Sequence, residues 1–185
     1  MLNPWQLPVV CELGGKSYPI HTDYRDILEI FSWLNDPDLP DFVRWEVALA
    51  LFFEGPVPEE LKQAAAEYLC LFLTGGQKED KPGPRLLDWE ADAPAIIADI
   101  NKVAGQEIRG LSYVHWWTFL SWFHAIGDGQ LATLVSIRDK LARGKHLEGW
   151  EKEFYRENKK RVDLPKKYSA RELAEQERLM KLLGT

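Results

Sequence analysis

Between Val9 and Ile20 the chain reads VVCELGGKSYPI, two part-alternating runs of apolar and polar positions set either side of Gly14-Gly15. A glycine pair tolerates the positive φ of a primed turn, so the pattern predicts a short β-hairpin over about 8–20. Beyond it the period lengthens to that of a helix. Tyr24, Ile27, Leu28, Phe31 and Leu34 share one face, behind Thr22 and Asp23, either of which can cap the free amides. LNDPDLP closes this helix, because Pro37 disfavours helical backbone at Asp36 and the Asn/Asp cluster suits a turn. A second helix is expected over 41–53, stopped by Gly55-Pro56. A third starts at Pro58, whose fixed φ suits a first turn, with Glu59 and Glu60 facing the positive helix end. It carries Leu61, Ala65, Tyr68, Leu69 and Phe72 as far as Gly75-Gly76.

A polar, Gly/Pro-rich stretch without periodicity then predicts a flexible loop over 75–86. The helical period resumes in DWEADAPAIIADINKVAG, with Asp92 as the expected cap just before Pro94. The aromatic stretch SYVHWWTFLSWFHAIG, 112–127, predicts a fifth helix capped by Ser112. Leu131, Leu134, Ile137 and Leu141 mark a sixth over 130–142, and EGWEKEFYRENKKR a seventh that halts near Pro165. Last, SARELAEQERLMKLLG combines a capping box, Ser169 with Glu172, and a thin stripe of Leu173, Met180 and Leu183. No repeat of solenoid period is visible. The expected fold is mainly α, a compact domain of about seven to eight helices behind a short N-terminal β-hairpin. Residues 1–165 are expected to form a single helical domain, and 166–185 a C-terminal helix that docks on it or extends from it.

Composition supports a folded chain: 45% of the 185 residues are hydrophobic, with eight tryptophans, enough for a sizeable core. A formal net charge of −6 argues against general binding to a phosphate backbone, which needs a clustered basic surface. The N-terminal MLNPWQLPVVCELGG lacks the basic and apolar regions of a signal peptide, and VALALFF is too short to span a bilayer. A soluble cytoplasmic protein without membrane contact is therefore expected. Cys11 and Cys70 lie in apolar runs and read as buried thiols rather than a disulfide.

Candidate chemistry is sparse. His115 and His124 stand on the same expected helix but too far round it to share a metal without other ligands, and no HExxH or cysteine pair accompanies them. No phosphate-cradling glycine loop and no G-x-S-x-G elbow occurs. The acidic groups Asp36/Asp38, Asp88/Glu90/Asp92 and Glu151/Glu153 fall at turns and helix starts, where caps and dipoles explain them. Catalytic residues, cofactor and metal are all expected to be absent. Basic residues gather at Lys152, Arg156, Lys159, Lys160, Arg161, Lys166 and Lys167, interleaved with Glu151, Glu153, Glu157 and Asp163. They read as a solvated helix face or as a docking strip for an acidic partner or nucleic acid. On a helical wheel the aromatic stretch spreads over an arc of about 220°, far wider than the stripe a helix packed on one face needs. Trp116, Leu120 and Phe123 sit at its centre and read as core. Trp117 and Trp122 sit at its margins and are, with His115 and His124, the candidate contact positions.

Four segments in order, YRDILEIFSWLNDPDL (24–39), LLDWEADAPAIIADI (86–100), LSYVHWWTFLSWFHAI (111–126) and EFYRENKKRVDLP (153–165), resemble a family of small tail-gene products of long-tailed phages and prophages. That family is classed with the tail assembly chaperones, and the likeness spans residues 17 to 165, most specifically at the HWW helix. The resemblance implies a non-catalytic helper that coats the tape measure protein in the host cytoplasm, helps recruit tail tube subunits and is absent from the mature virion. Two other classes stay open: a structural tail or tail-completion protein retained in the virion, and a nucleic-acid-binding regulator using 152–167. Self-association also stays open.

Overall fold

The structure, a computed structural model, describes residues 3, 5–77 and 83–165. The expected C-terminal helix with its Ser169–Glu172 box, Lys166 and Lys167, and positions 78–82 of the expected loop lie outside the described residues. The fold is mainly α with an N-terminal antiparallel hairpin. The described residues fall into two compact units, one up to Gln77 and the other from 83 to Pro165.

In the first unit, β1 (Val10–Leu13) and β2 (Lys16–Pro19) pair with Cys11 opposite Tyr18 and Leu13 opposite Lys16. Gly14 and Gly15 take φ of 55° and 76°, the two consecutive positive values that let a two-residue turn follow the strand twist. Alternation then buries Cys11 and Leu13 and leaves Val10 and Glu12 outside. The hairpin is clipped to the helices at three points. The His21 amide donates to the Phe52 carbonyl at 2.8 Å, the Glu54 amide to the Pro19 carbonyl at 3.1 Å, and the Tyr68 hydroxyl to the Val10 carbonyl at 3.0 Å.

Helix α1 (Tyr24–Leu34) starts where Asp23, one of the two caps the sequence offers, accepts from the Arg25 amide at 3.0 Å. Its buried line is Tyr24, Ile27 and Ile30 rather than the predicted stripe, whose Leu28, Phe31 and Leu34 are only half-buried. Both i+3 and i+4 ridges of this helix are apolar, and α2 (Asp41–Phe52) packs along it. Arg44 holds the turn between them, donating to the carbonyls of Leu39 at 2.8 Å and Leu34 at 3.3 Å, so a carbonyl left over at the end of α1 gains a partner. A 3-10 turn, Glu59–Leu61, leads into α3 (Lys62–Leu73), which buries Ala65, Leu69 and Phe72. Phe52 is the hub of this core, with ring centroids 5.1 Å from both Phe53 and Phe72 and 6.3 Å from Tyr68.

The second unit holds α4 (Ala93–Ala104), α5 (Trp116–His124), α6 (Gln130–Ala142), α7 (Gly149–Glu157) and α8 (Lys159–Val162). Asp92 occupies the cap position of α4 as predicted, yet its carboxylate does not cap. It accepts instead from the Asp88 amide at 2.9 Å and, through both oxygens, from Arg138 at 2.7 and 2.8 Å. Arg138, buried where the predicted stripe of α6 has no place for a charge, also donates to the carbonyls of Val162, Leu86 and Arg161. All five guanidinium protons are thereby used, which is what makes a buried arginine tolerable. Leu141, predicted on the apolar stripe of α6, is exposed.

At the start of α6 the cap is borrowed. Gly129 has no side chain to offer, and Asp99 of α4 reaches across to accept from the Leu131 amide at 2.9 Å. A Cβ on Gly129 would run into that carboxylate, so the glycine is required for the approach rather than for its backbone angle. The predicted seventh helix is broken at Asn158 into α7 and α8. Helix α7 opens with a capping box in which Glu148 and Glu151 satisfy each other's amides, and buried Glu151 also receives Lys140 at 2.7 Å. That ammonium and the Glu148 amide hold the Glu151 carboxyl below its ordinary value.

Candidate partner-binding surface

Helix α5 resolves the aromatic stretch. It begins at Trp116, not after Ser112, and its cap is His115, whose buried imidazole Nδ1 accepts from the Trp117 amide at 3.0 Å. A ring nitrogen that accepts a backbone proton is the deprotonated one, so His115 works as a neutral cap. Trp116 and Phe119 are buried and stacked at 5.5 Å, and Trp89 closes over them with centroids 5.8 Å from Trp116, 6.2 Å from Phe119 and 5.1 Å from Phe123. Trp117 is also buried, edge-on to His115, whereas Trp122 is half-buried and His124 exposed in the last turn beside Phe123. The four predicted contact positions on this helix therefore divide. His115 and Trp117 belong to the interior, and Trp122 and His124 face outward.

The basic positions separate in a similar way. Lys152 and Arg156 are exposed on α7, Lys159 and Lys160 on α8 beyond the break at Asn158. Arg156 meets Glu153 at 3.6 Å, one helical turn away. The interleaving seen in the sequence persists as a mixed-charge surface.

A wide apolar concavity lies elsewhere, on the first unit, where sequence reasoning placed no site. Helices α2 and α3 frame an open groove of about 610 Å³. Its floor is Phe42, Trp45 and Leu49 from α2, with Ala66 and Cys70 from α3. The spacing 42, 45, 49 puts three large side chains on one helix face, and 66 with 70 puts two small ones opposite, which is why the helices leave a trough. Phe42 is 71% exposed at the mouth of this trough. The rim is charged. Glu46, Glu59 and Glu67 surround a single ammonium, Lys62, which lies 2.7 Å from both Glu46 and Glu59. The hydrogen bonds its ammonium donates to those two carboxylates push the Lys62 pKa up. Glu67 accepts from the Gln63 amide group at 2.9 Å.

The two thiols differ, against the expectation that both are buried. Cys11 is buried, and desolvation with the nearby Glu12 charge pushes it up to about 12. Cys70 is exposed in the groove. Among the described residues, no cluster of three or more His, Cys, Asp or Glu is placed to hold a metal ion, and no helix is long and apolar enough to cross a membrane.

Residues 5–164 match the model of the family described as Bacteriophage Gp15 protein. The chain belongs to that family. It is thus a bacteriophage protein, and the match takes in both the α2–α3 groove and the aromatic helix. Neither the comparison with curated proteins nor that with solved structures gives a match.

Proposed function

We propose that this member of the phage family is a non-catalytic morphogenesis protein, a tail assembly chaperone that binds the tape measure protein, and with it tail tube subunits, in the host cytoplasm and leaves before the virion is complete. The observation that supports this reading is the α2–α3 groove, an apolar trough with a charged rim on a small helical unit. A tape measure is a long helical protein with an apolar stripe, and such a stripe is covered by laying it helix-in-groove. A net charge of −6 keeps a chaperone needed at high copy soluble.

Co-expression with the tape measure protein of the same phage tests the proposal. The expected result is a tape measure that stays soluble only in this chain's company, with both eluting together. A tape measure equally insoluble with and without it, or this chain recovered in assembled tails, contradicts the chaperone role.

A further inference from the structure

We propose that the α2–α3 groove docks a single amphipathic helix of a partner protein, about three turns long, whose apolar stripe is flanked by lysine or arginine. The inference rests on the chaperone reading and names the surface and the partner segment it leaves open. Shape sets the length: α2 and α3 each run 12 residues, and about 18 Å of helix offers room for roughly three turns alongside. Spacing sets the stripe. Phe42, exposed, and Trp45, half-buried, with the largely buried Leu49 at the floor, form a ladder of the kind that meets i, i+3, i+4, i+7 anchors on another helix.

The rim sets the charge. Three carboxylates face one ammonium, and that ammonium is already held by Glu46 and Glu59. A helix carrying acidic flanks would add like charge to this rim, while a basic one neutralises the excess. An uncharged trough would accept any apolar helix. This one discriminates.

The groove carries its own reporter, since Cys70 lines it and is exposed while Cys11 is buried and held as a neutral thiol. Alkylation of the native full-length protein therefore reads groove occupancy. The probe is a synthetic helix with leucines at i, i+3, i+4 and i+7 and lysines on both flanks, set against the same peptide with glutamates. The lysine peptide should slow Cys70 alkylation at least about tenfold, and the glutamate peptide should not. Phe42→Ser should weaken the lysine peptide by about tenfold, as loss of an exposed aromatic anchor does. Glu59→Lys with Glu67→Lys should invert the preference.

Equal protection by both peptides, protection by neither, or unchanged binding by Phe42→Ser overturns the proposal. So does a Cys70 already shielded in the protein alone: dependence on concentration would assign the groove to a second copy, and independence to the chain itself. Failure of this inference is separable from failure of the chaperone reading. A Phe42→Ser variant that still keeps the tape measure soluble removes the groove alone. Wild-type protein that binds the lysine peptide but does not solubilise the tape measure supports the groove and removes the chaperone role.

Discussion

Two stretches of this chain set aromatic residues at helical spacing, and they meet solvent in opposite ways. On α5, Trp116, Trp117 and Phe119 are buried, with Trp89 closed over Trp116 and Phe119. On α2, Phe42 is 71% exposed and Trp45 half-buried along an open trough. The denser cluster is the one that builds the interior. Aromatic rings packed edge-to-face and stacked are satisfied by one another, and a helix apolar over a wide arc is covered from more than one side. The sparser pair shares its helix with Ala48, Leu49 and Phe52, which already serve the core. What is left over on such a helix is what a partner can use.

The contrast sets an order of expected effects. Trp116→Ala should be the most damaging, costing about 3–5 kcal/mol in chemical denaturation, because a fully buried ring leaves a cavity lined by Trp89 and Phe119. A loss below about 1 kcal/mol would mean α5 is not core. His115→Ala should cost about 1 kcal/mol through the lost cap, and His115→Asn should recover most of it, since an amide oxygen can accept the same Trp117 amide. If Asn is no better than Ala, the imidazole acts by packing rather than by capping.

Acid should separate the two units. Glu151 in the second unit has its pKa lowered by Lys140, so its ionised form adds stability that is present above the ordinary value of 4.5 and is lost as pH falls through the lower folded value. Asp26 in the first unit has its pKa raised, by burial first and then by Asp23, so its ionised form opposes folding and its protonation relieves that cost as pH falls. Hydrogen exchange at pH 6 and pH 4 should show protection in α6 and α7 declining relative to α1. An equal decline in both would discount the Glu151–Lys140 pair. The smallest effect belongs to Phe42→Ser, which should leave stability within about 0.5 kcal/mol. A larger loss would move Phe42 from the groove to the core.

Much of the fold is legible in the sequence where one local rule decides. Gly14-Gly15 fixes the hairpin, Asp23 the start of α1, and Pro58 with two glutamates the approach to α3. The departures come where a side chain serves a distant partner. Asp92 sits at a cap position but is claimed by Arg138, 46 residues on, and Asp99 caps a helix 32 residues away. Capping preference favours Ser112 over His115, yet an imidazole nitrogen accepts as well as a hydroxyl, and the helix begins three residues later than Ser112 would place it. The groove was within reach. Phe42, Trp45 and Leu49 lie on one face, and the wide-arc argument applied to α5 applies equally to α2. A wheel shows that a helix is apolar over a wide arc without showing how much of that arc its neighbours will cover.

The central claim is that the exposed aromatic trough, and not the aromatic helix, meets the partner. The most direct measurement compares wild type with Phe42→Ser for co-purification with the tape measure protein of the same phage, at matched thermal stability. The account predicts a stably folded variant that no longer keeps the tape measure soluble. A folded Phe42→Ser protein that recovers as much soluble tape measure as wild type would contradict it.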